Sequence, residues 1–522
     1  MINNWWVTRP KRKLTSVPED LAIIAAAAID HEWSGARKLH LSIEEELENS
    51  GLKREGERRD QGGGGARTYV AWLKSLGLLF AQKTTGELKL TLAGEELLNG
   101  RSPTYILTKQ IFKYQFPSSF SVGVGVRVSD RFKIRPFKFL FKLLLDERIG
   151  YLTQDEIAKI VITEAENETD KCYEHVVRRI AEFREKGDAC LPEDFEQLYP
   201  STRKGVQTTA AERLNDVANT IINWMEYTQF ITRDEEQRVR IAPDEWANVQ
   251  AEVFSEMPFI GRPEDEEVFQ RKYGVDPWHS KDLRNLAKTQ TITATIIAKA
   301  RVQREFLALA SRKPILGISQ DVITEIAAKT GITKTEVENI LGAIYPNGAV
   351  GCFLPSYNAM AFSGREQATD FELATTALFR DVFGFETKHV GPIGRTPDVL
   401  LLSDSDGYQA IVDNKAYSSY TISNDHMNRM VTNYIHELNH YSSSPHPLAF
   451  FSYVAGGFGK NIDSGVAEIN KKTLVPGCAM PVANLIRMME LHLEAPYSHS
   501  QIREVFSVNR RVTIDDLFSV ER

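Results

Sequence analysis

Cysteine is scarce in this chain of 522 residues: Cys172, Cys190, Cys352 and Cys478 lie far apart, with no CxxC pair. That spacing excludes a disulfide framework and a zinc ribbon, so buried reduced thiols of a cytoplasmic protein are expected. Long hydrophobic runs are also missing, and no stretch reaches the roughly 18 apolar residues of a membrane-spanning helix. The N-terminus carries Arg and Lys but no continuous apolar segment before a cleavage site, so neither a secretory leader nor a membrane partner is expected. Glycine is concentrated at Gln61-Gly62-Gly63-Gly64-Gly65. No Gly-Lys-Ser/Thr follows, which excludes a phosphate-cradling loop and leaves a flexible one.

Positive charge is in short supply overall, since the net charge is −7. Its distribution is uneven. Residues 1–150 hold 24 Lys/Arg against 17 Asp/Glu, or +7; residues 151–354 hold 25 against 34, or −9; residues 355–522 hold 14 against 19, or −5. A phosphate-binding surface is therefore expected in the first third. With 42% hydrophobic content the chain can bury several cores, and three or four domains are expected.

The helical pattern Thr68 to Leu79, ending at Gly77, is followed by a hairpin around Thr84-Thr85-Gly86-Glu87 and a strand at Leu88-Lys89-Leu90-Thr91. Helix followed by a two-stranded wing is the winged-helix pattern. It recurs at Asn219 to Phe230, a charged turn Asp234-Glu235-Glu236, and the strand Arg238-Val239-Arg240-Ile241. Ser280 to Arg312 has few breakers and reads as one long helix ending before Pro314. Helix-start signals at Ser319 and Thr333 then mark a small helical element over 315–345.

The chemistry centres on Thr396-Pro397-Asp398 and Asp413-Asn414-Lys415. The apolar runs Val399–Leu402 and Gln409–Val412 flank Asp404-Ser405-Asp406-Gly407, which suits a tight hairpin. Asp398 lies six residues before Asp404, and Asp413 lies six after Gly407. A symmetric hairpin thus sets the two carboxylates opposite one another, close enough to share a cation. Lys415 projects from the same face as Asp413. Carboxylates, a backbone carbonyl, water and phosphate are hard oxygen donors that favour Mg²⁺, so Asp398, Asp413 and Asn414 are the candidate metal ligands. Lys415 would orient the attacking water or steady negative charge on a phosphate. On residue types alone, a strand pair ending in solvated acids is the competing reading.

The stretches Phe383–Gly391, Arg395-Thr396-Pro397-Asp398 and Ile411–Ser418 resemble the FokI-type cleavage domain of type IIS restriction endonucleases. The resemblance runs from Phe371 onward and implies a PD-(D/E)xK site with Asp398, Asp413 and Lys415 catalytic. Glu372 matches a family glutamate and is an accessory catalytic candidate, although its place on an amphipathic helix reads as exposed. The helix Asn424–Met430 resembles the family's dimer helix, with Asp425 and Arg429 matching its paired acid and base, which implies a transient homodimer. The N-terminal half, at Trp5-Trp6-Val7, Leu90–Leu98 and Lys109–Ser118, resembles the AlwI family of endonucleases and nickases. Lys109, Lys113, Arg131, Lys133, Arg135 and Lys138, interleaved with Phe112, Tyr114, Phe116 and Phe132, form a candidate DNA-facing strip; a solvated face above core aromatics is its alternative.

The expected architecture is a multidomain α+β protein: mostly helical winged-helix recognition modules at 1–150 and 151–275, a helical linker at 276–354, and a C-terminal α/β PD-(D/E)xK nuclease domain at 355–522. The expected function is type IIS restriction: binding an asymmetric double-stranded DNA site, hydrolysing phosphodiester bonds at an offset with Mg²⁺, and working beside a cognate DNA methyltransferase. A strand-specific nicking enzyme of the same architecture is the alternative. Less favoured are a DNA-binding regulator and a zinc metallopeptidase, the latter because His436-Glu437-Leu438-Asn439-His440 matches HExxH.

Overall fold

The structure, a computed structural model, describes residues 2–53, 62–120, 127–199, 208–234, 236–242, 245–286, 293–391 and 396–520. Contacts divide it into two compact units, Met1–Leu307 with Glu325–Ile344, and Ala308–Thr324 with Tyr345–Arg522. No helix among the described residues is long and apolar enough to cross a membrane.

The first unit is mainly helical with two small hairpins. The helix Gly64–Ser75 buries Tyr69, Val70, Trp72 and Leu73, and the chain turns just beyond it at Gly77, where φ is +72°. A Cβ there would meet Gln110 Nε2 at 2.5 Å and the Tyr273 ring at 2.8 Å, so both the backbone and the space require glycine. Strands β1 (Leu79–Ala81) and β2 (Leu88–Leu90) then pair antiparallel, Leu79 opposite Leu90. Thr91 Oγ1 accepts from Gly94 N at 3.1 Å and starts the helix Leu92–Leu98. The same order recurs in the helix Ala210–Tyr227, which opens with a Thr209/Glu212 capping box, in strands β3 (Ile231–Arg233) and β4 (Val239–Ile241), and in the helix Trp246–Phe254. Trp72 and Trp224, central in the two leading helices, are fully buried. These are the helix, wing and helix repeats expected from the sequence; Glu235 of the second turn lies outside the described residues.

Three local expectations are corrected. Among the described residues, the long helix expected over Ser280–Arg312 is helical at Ala294–Ala310 and not at 281–286. Asp282 accepts from Arg284 N at 3.0 Å and from the Arg284 guanidinium, which also donates to Leu90 O at 3.0 Å. Those side-chain bonds hold 282–284 in a non-helical course. The glycine run is likewise not all loop, because Gly64 and Gly65 open a helix behind Gly63 at φ +79°; Gln61 lies outside the described residues. All four cysteines are free, but only Cys352 and Cys478 are buried.

The second unit is built on one mixed sheet ordered β5 (Glu386–His389), β6 (Val399–Ser403), β7 (Tyr408–Lys415), β8 (Leu448–Ala455) and β9 (Gly477–Pro481). The first three strands run antiparallel, and β7, β8 and β9 run parallel. The parallel pair β8–β9 is linked through the helix Ile462–Thr473, as parallel strands require. Successive residues of β6 and β7 alternate between two cores. Val399, Leu401 and Val412 join Phe371, Leu378 and Phe379 from the helix Ala368–Asp381. Leu400 and Ile411 join Tyr453, Ile462 and Val466 on the other side. A sheet covered on both faces accounts for continuous apolar runs where a half-exposed hairpin would alternate.

Candidate active site

Asp398 sits just before β6 and Asp413 near the end of β7, so both lie at the open end of this hairpin. The turn at 404–407, with Gly407 at φ +65°, sets the register. Val399 pairs with Val412, and the next step along the ladder brings Asp398 opposite Asp413. Asn414 N donates to Asp398 Oδ2 at 2.6 Å, so the carboxylate continues the ladder where backbone pairing stops. Lys415 Nζ lies 2.6 Å from Asp413 Oδ2 and donates to Asn414 O at 3.2 Å. The Asn414 side chain turns to the other face, donating to Thr375 Oγ1 at 2.6 Å, which leaves its backbone carbonyl as the group on the Lys415 side.

Electrostatics tighten the cluster. Burial first, and then the Asp413 charge, push the Asp398 carboxyl well above the usual carboxylate range. Burial alone would lower the Lys415 ammonium, but Asp413 and Asp398 outweigh it and hold it above the ordinary lysine value. Asp413 Oδ1 is buried with no hydrogen-bond partner. Two carboxylates, Asp413 buried and Asp398 partly so, against one ammonium, with a spare oxygen among them, fit a hard divalent cation. Among the described residues no group of three or more His, Cys, Asp or Glu side chains is assembled for a metal.

Glu372 is not exposed as expected: its side chain is 16% accessible, and its Oε2 lies 2.9 Å from His389 Nε2 on β5. Its charge is felt by both Asp398 and Lys415. His389 was within the motif read from the sequence, but nothing local marks its partner on a separate helix. Burial and then the Asp413 carboxylate keep the Tyr420 and Tyr434 hydroxyls neutral. Arg395, from the sequence motif, lies outside the described residues.

The remaining sequence candidates have partners of their own. Asp425 and Arg429 form an exposed pair at 2.6 Å within one helical segment. The HExxH histidines do not share a regular helix, since the π-helical turn Arg429–His436 ends at Glu437 before a short 3-10 turn, Leu438–His440. Most of the basic strip is committed to internal partners. Lys109 pairs with Glu252, Arg131 with Glu166 and Arg135 with Glu168. Lys138 donates to Ser255 O at 2.9 Å, and Lys113 to Tyr273 O at 3.0 Å and Val275 O at 2.6 Å. Lys133 is exposed and lies over the Phe259 ring.

Residues 331–513 match the family profile of the FokI cleavage domain. Residues 74–341, half of the chain, match the profile of the AlwI restriction endonuclease. The chain belongs to the AlwI restriction endonuclease family. Among solved structures it is similar to restriction endonuclease FokI, at 14% identity and a TM-score of 0.29 over 98% of this chain and 100% of that one. The BpuJ1 endonuclease binding domain, solved with modified DNA, is 15% identical with a TM-score of 0.33, over 52% of this chain and 96% of that one. No curated protein matches the chain.

Proposed function

We propose that the protein is a type IIS restriction endonuclease that hydrolyses DNA at an offset from an asymmetric site, with Mg²⁺ as cofactor. The observation that carries this reading is the close trio of Asp398, Asp413 and Lys415, largely shielded from solvent, with the buried, unpartnered Asp413 Oδ1 in its midst. Asp398, Asp413 and the Asn414 carbonyl would hold the ion. When bound, Mg²⁺ would lower the pKa of water and offset charge on the scissile phosphate. Lys415, fixed by Asp413 and the Asn414 carbonyl, directs its remaining proton toward the attacking water or the phosphate. The new bond forms from the water oxygen to phosphorus as the bond to the leaving sugar oxygen breaks. Glu372, fixed by His389, is an accessory acid beside the trio.

Recognition is assigned to modules at 1–150 and 151–275, joined through 276–354 to a nuclease domain at 355–522. One such centre cuts one strand, and antiparallel strands present their scissile bonds in opposite polarity. Two centres related by a two-fold axis meet that demand. The exposed Asp425 and Arg429 would lie at this transient dimer contact, and a cognate methyltransferase would protect host DNA. The test is to sequence the ends of plasmid DNA digested in Mg²⁺. Paired breaks at a fixed distance from one asymmetric sequence support the reading; breaks on one strand favour a nicking enzyme; breaks without sequence relation reject it.

A further inference from the structure

We propose that the exposed Tyr105–Trp278 pair is a contact surface for the backbone and groove edge of duplex DNA, a proposal that rests on the reading of this chain as a DNA endonuclease. Trp278 is 50% and Tyr105 46% exposed, large values for side chains of this size. Their ring centroids are 6.0 Å apart. Arg101 lies 4.9 Å over the Trp278 ring and Lys109 5.5 Å over the Tyr105 ring, so a cation stands on each ring.

The turn that presents Trp278 is fixed from inside. The buried Asp276 carboxylate accepts from Trp278 N at 2.7 Å and from His279 N at 2.9 Å, and its other oxygen lies 2.7 Å from His279 Nδ1. Behind it, Lys113 donates to the carbonyls of Tyr273 and Val275. Burying an ammonium and a carboxylate is costly, and a casually exposed apolar residue needs neither. Trp278 is thus held in place for contact with something outside the fold.

Charge selects that partner. Arg101, 62% exposed, is steadied by Glu96 and keeps further donors. His279 and Lys281 are exposed on the same turn region, and residues 1–150 carry the chain's only positive balance, +7. Aromatic faces can pack on sugars and base edges while the cations reach phosphates.

The test uses the full chain, with Ca²⁺ replacing Mg²⁺ and a fluorescein-labelled random-sequence duplex followed by anisotropy at several salt concentrations. Trp278→Ala should weaken binding about tenfold, with Trp278→Phe close to wild type. Arg101→Gln should reduce the slope of log affinity against log salt by about one. Thermal unfolding checks that each variant is folded, and Arg101→Gln, an exposed change, carries the test if Trp278→Ala is not. Wild-type affinity and salt slope in the folded variants would overturn the surface alone, whereas a wild-type protein that binds no duplex would overturn the endonuclease reading with it.

Discussion

Lys415→Met and Asp413→Asn should both abolish cleavage, yet they should move the stability of the metal-free protein differently. The Lys415 and Asp413 side chains are only 16% and 4% exposed at their 2.6 Å contact. Removing the ammonium leaves Asp398 and Asp413 buried together with no cation between them. Loss of one partner from a buried pair costs about 3–5 kcal/mol. Asp398, already pushed upward by burial and by Asp413, can take up a proton, so the lower end, about 3 kcal/mol, is expected. Asp413→Asn instead leaves one carboxylate against one ammonium at unchanged volume, and a change within about 1 kcal/mol is expected. The assay is urea unfolding of the C-terminal unit in EDTA, repeated with Mg²⁺. At a concentration about 100-fold above its dissociation constant, Mg²⁺ should add about 2.7 kcal/mol to wild type. Lys415→Met should keep most of that gain and Asp413→Asn should lose it. Equal destabilisation by the two variants, or a full Mg²⁺ gain in Asp413→Asn, would refute the charge balance drawn for this site.

Glu372→Gln keeps a hydrogen-bonding partner for His389 while deleting the third acid. It should lower the cleavage rate about tenfold or more and raise the Mg²⁺ concentration for half-maximal rate; unchanged rates in a Mg²⁺ titration would leave Glu372 a structural role. Asp425→Arg and Arg429→Asp should each depress double-strand cleavage, and their mixture should recover part of it. Because the pair within one chain is worth only about 0.3–0.5 kcal/mol, unfolding midpoints should barely move, and wild-type cleavage by both single variants would discard this dimer contact. Burial pushes the Asp20 carboxyl from its ordinary 3.8 up to about 6 despite the Lys11 ammonium 2.8 Å away. A raised folded pKa favours the protonated form. Its stabilising contribution is therefore complete below about pH 4 and lost as pH rises through about 6, a span worth about 3 kcal/mol. Measured against Asp20→Asn by urea unfolding, wild type should lose ground over that interval, and a pH-independent difference would contradict the assignment.

The pairing of Asp398 with Asp413 was legible because a tight turn fixes register, and register can be counted from the turn outward in both directions. Lys415 followed from strand alternation. Both inferences use only neighbours in sequence. The Glu372–His389 contact joins a helix to a strand 17 residues away, and no local periodicity carries it. The same limit affected the basic strip: its spacing was visible, but the acceptors for Lys109, Lys113 and Lys138 lie more than 100 residues further along the chain. Helix propensity at 282–284 was overridden by two charged side chains, Asp282 and Arg284, bonding to each other and to the backbone. The winged repeats were readable because helix, hairpin and helix are each local, whereas the firm turn beneath Trp278 depends on a lysine from a distant helix.

The most direct measurement is conversion of supercoiled plasmid by wild type and by Asp413→Asn, purified in parallel, each with Mg²⁺ and with EDTA. Wild type in Mg²⁺ should yield discrete linear fragments, and the other three reactions should leave the plasmid intact. Fragments from Asp413→Asn at the wild-type rate, or from wild type in EDTA, would contradict a metal-dependent centre at Asp398, Asp413 and Lys415.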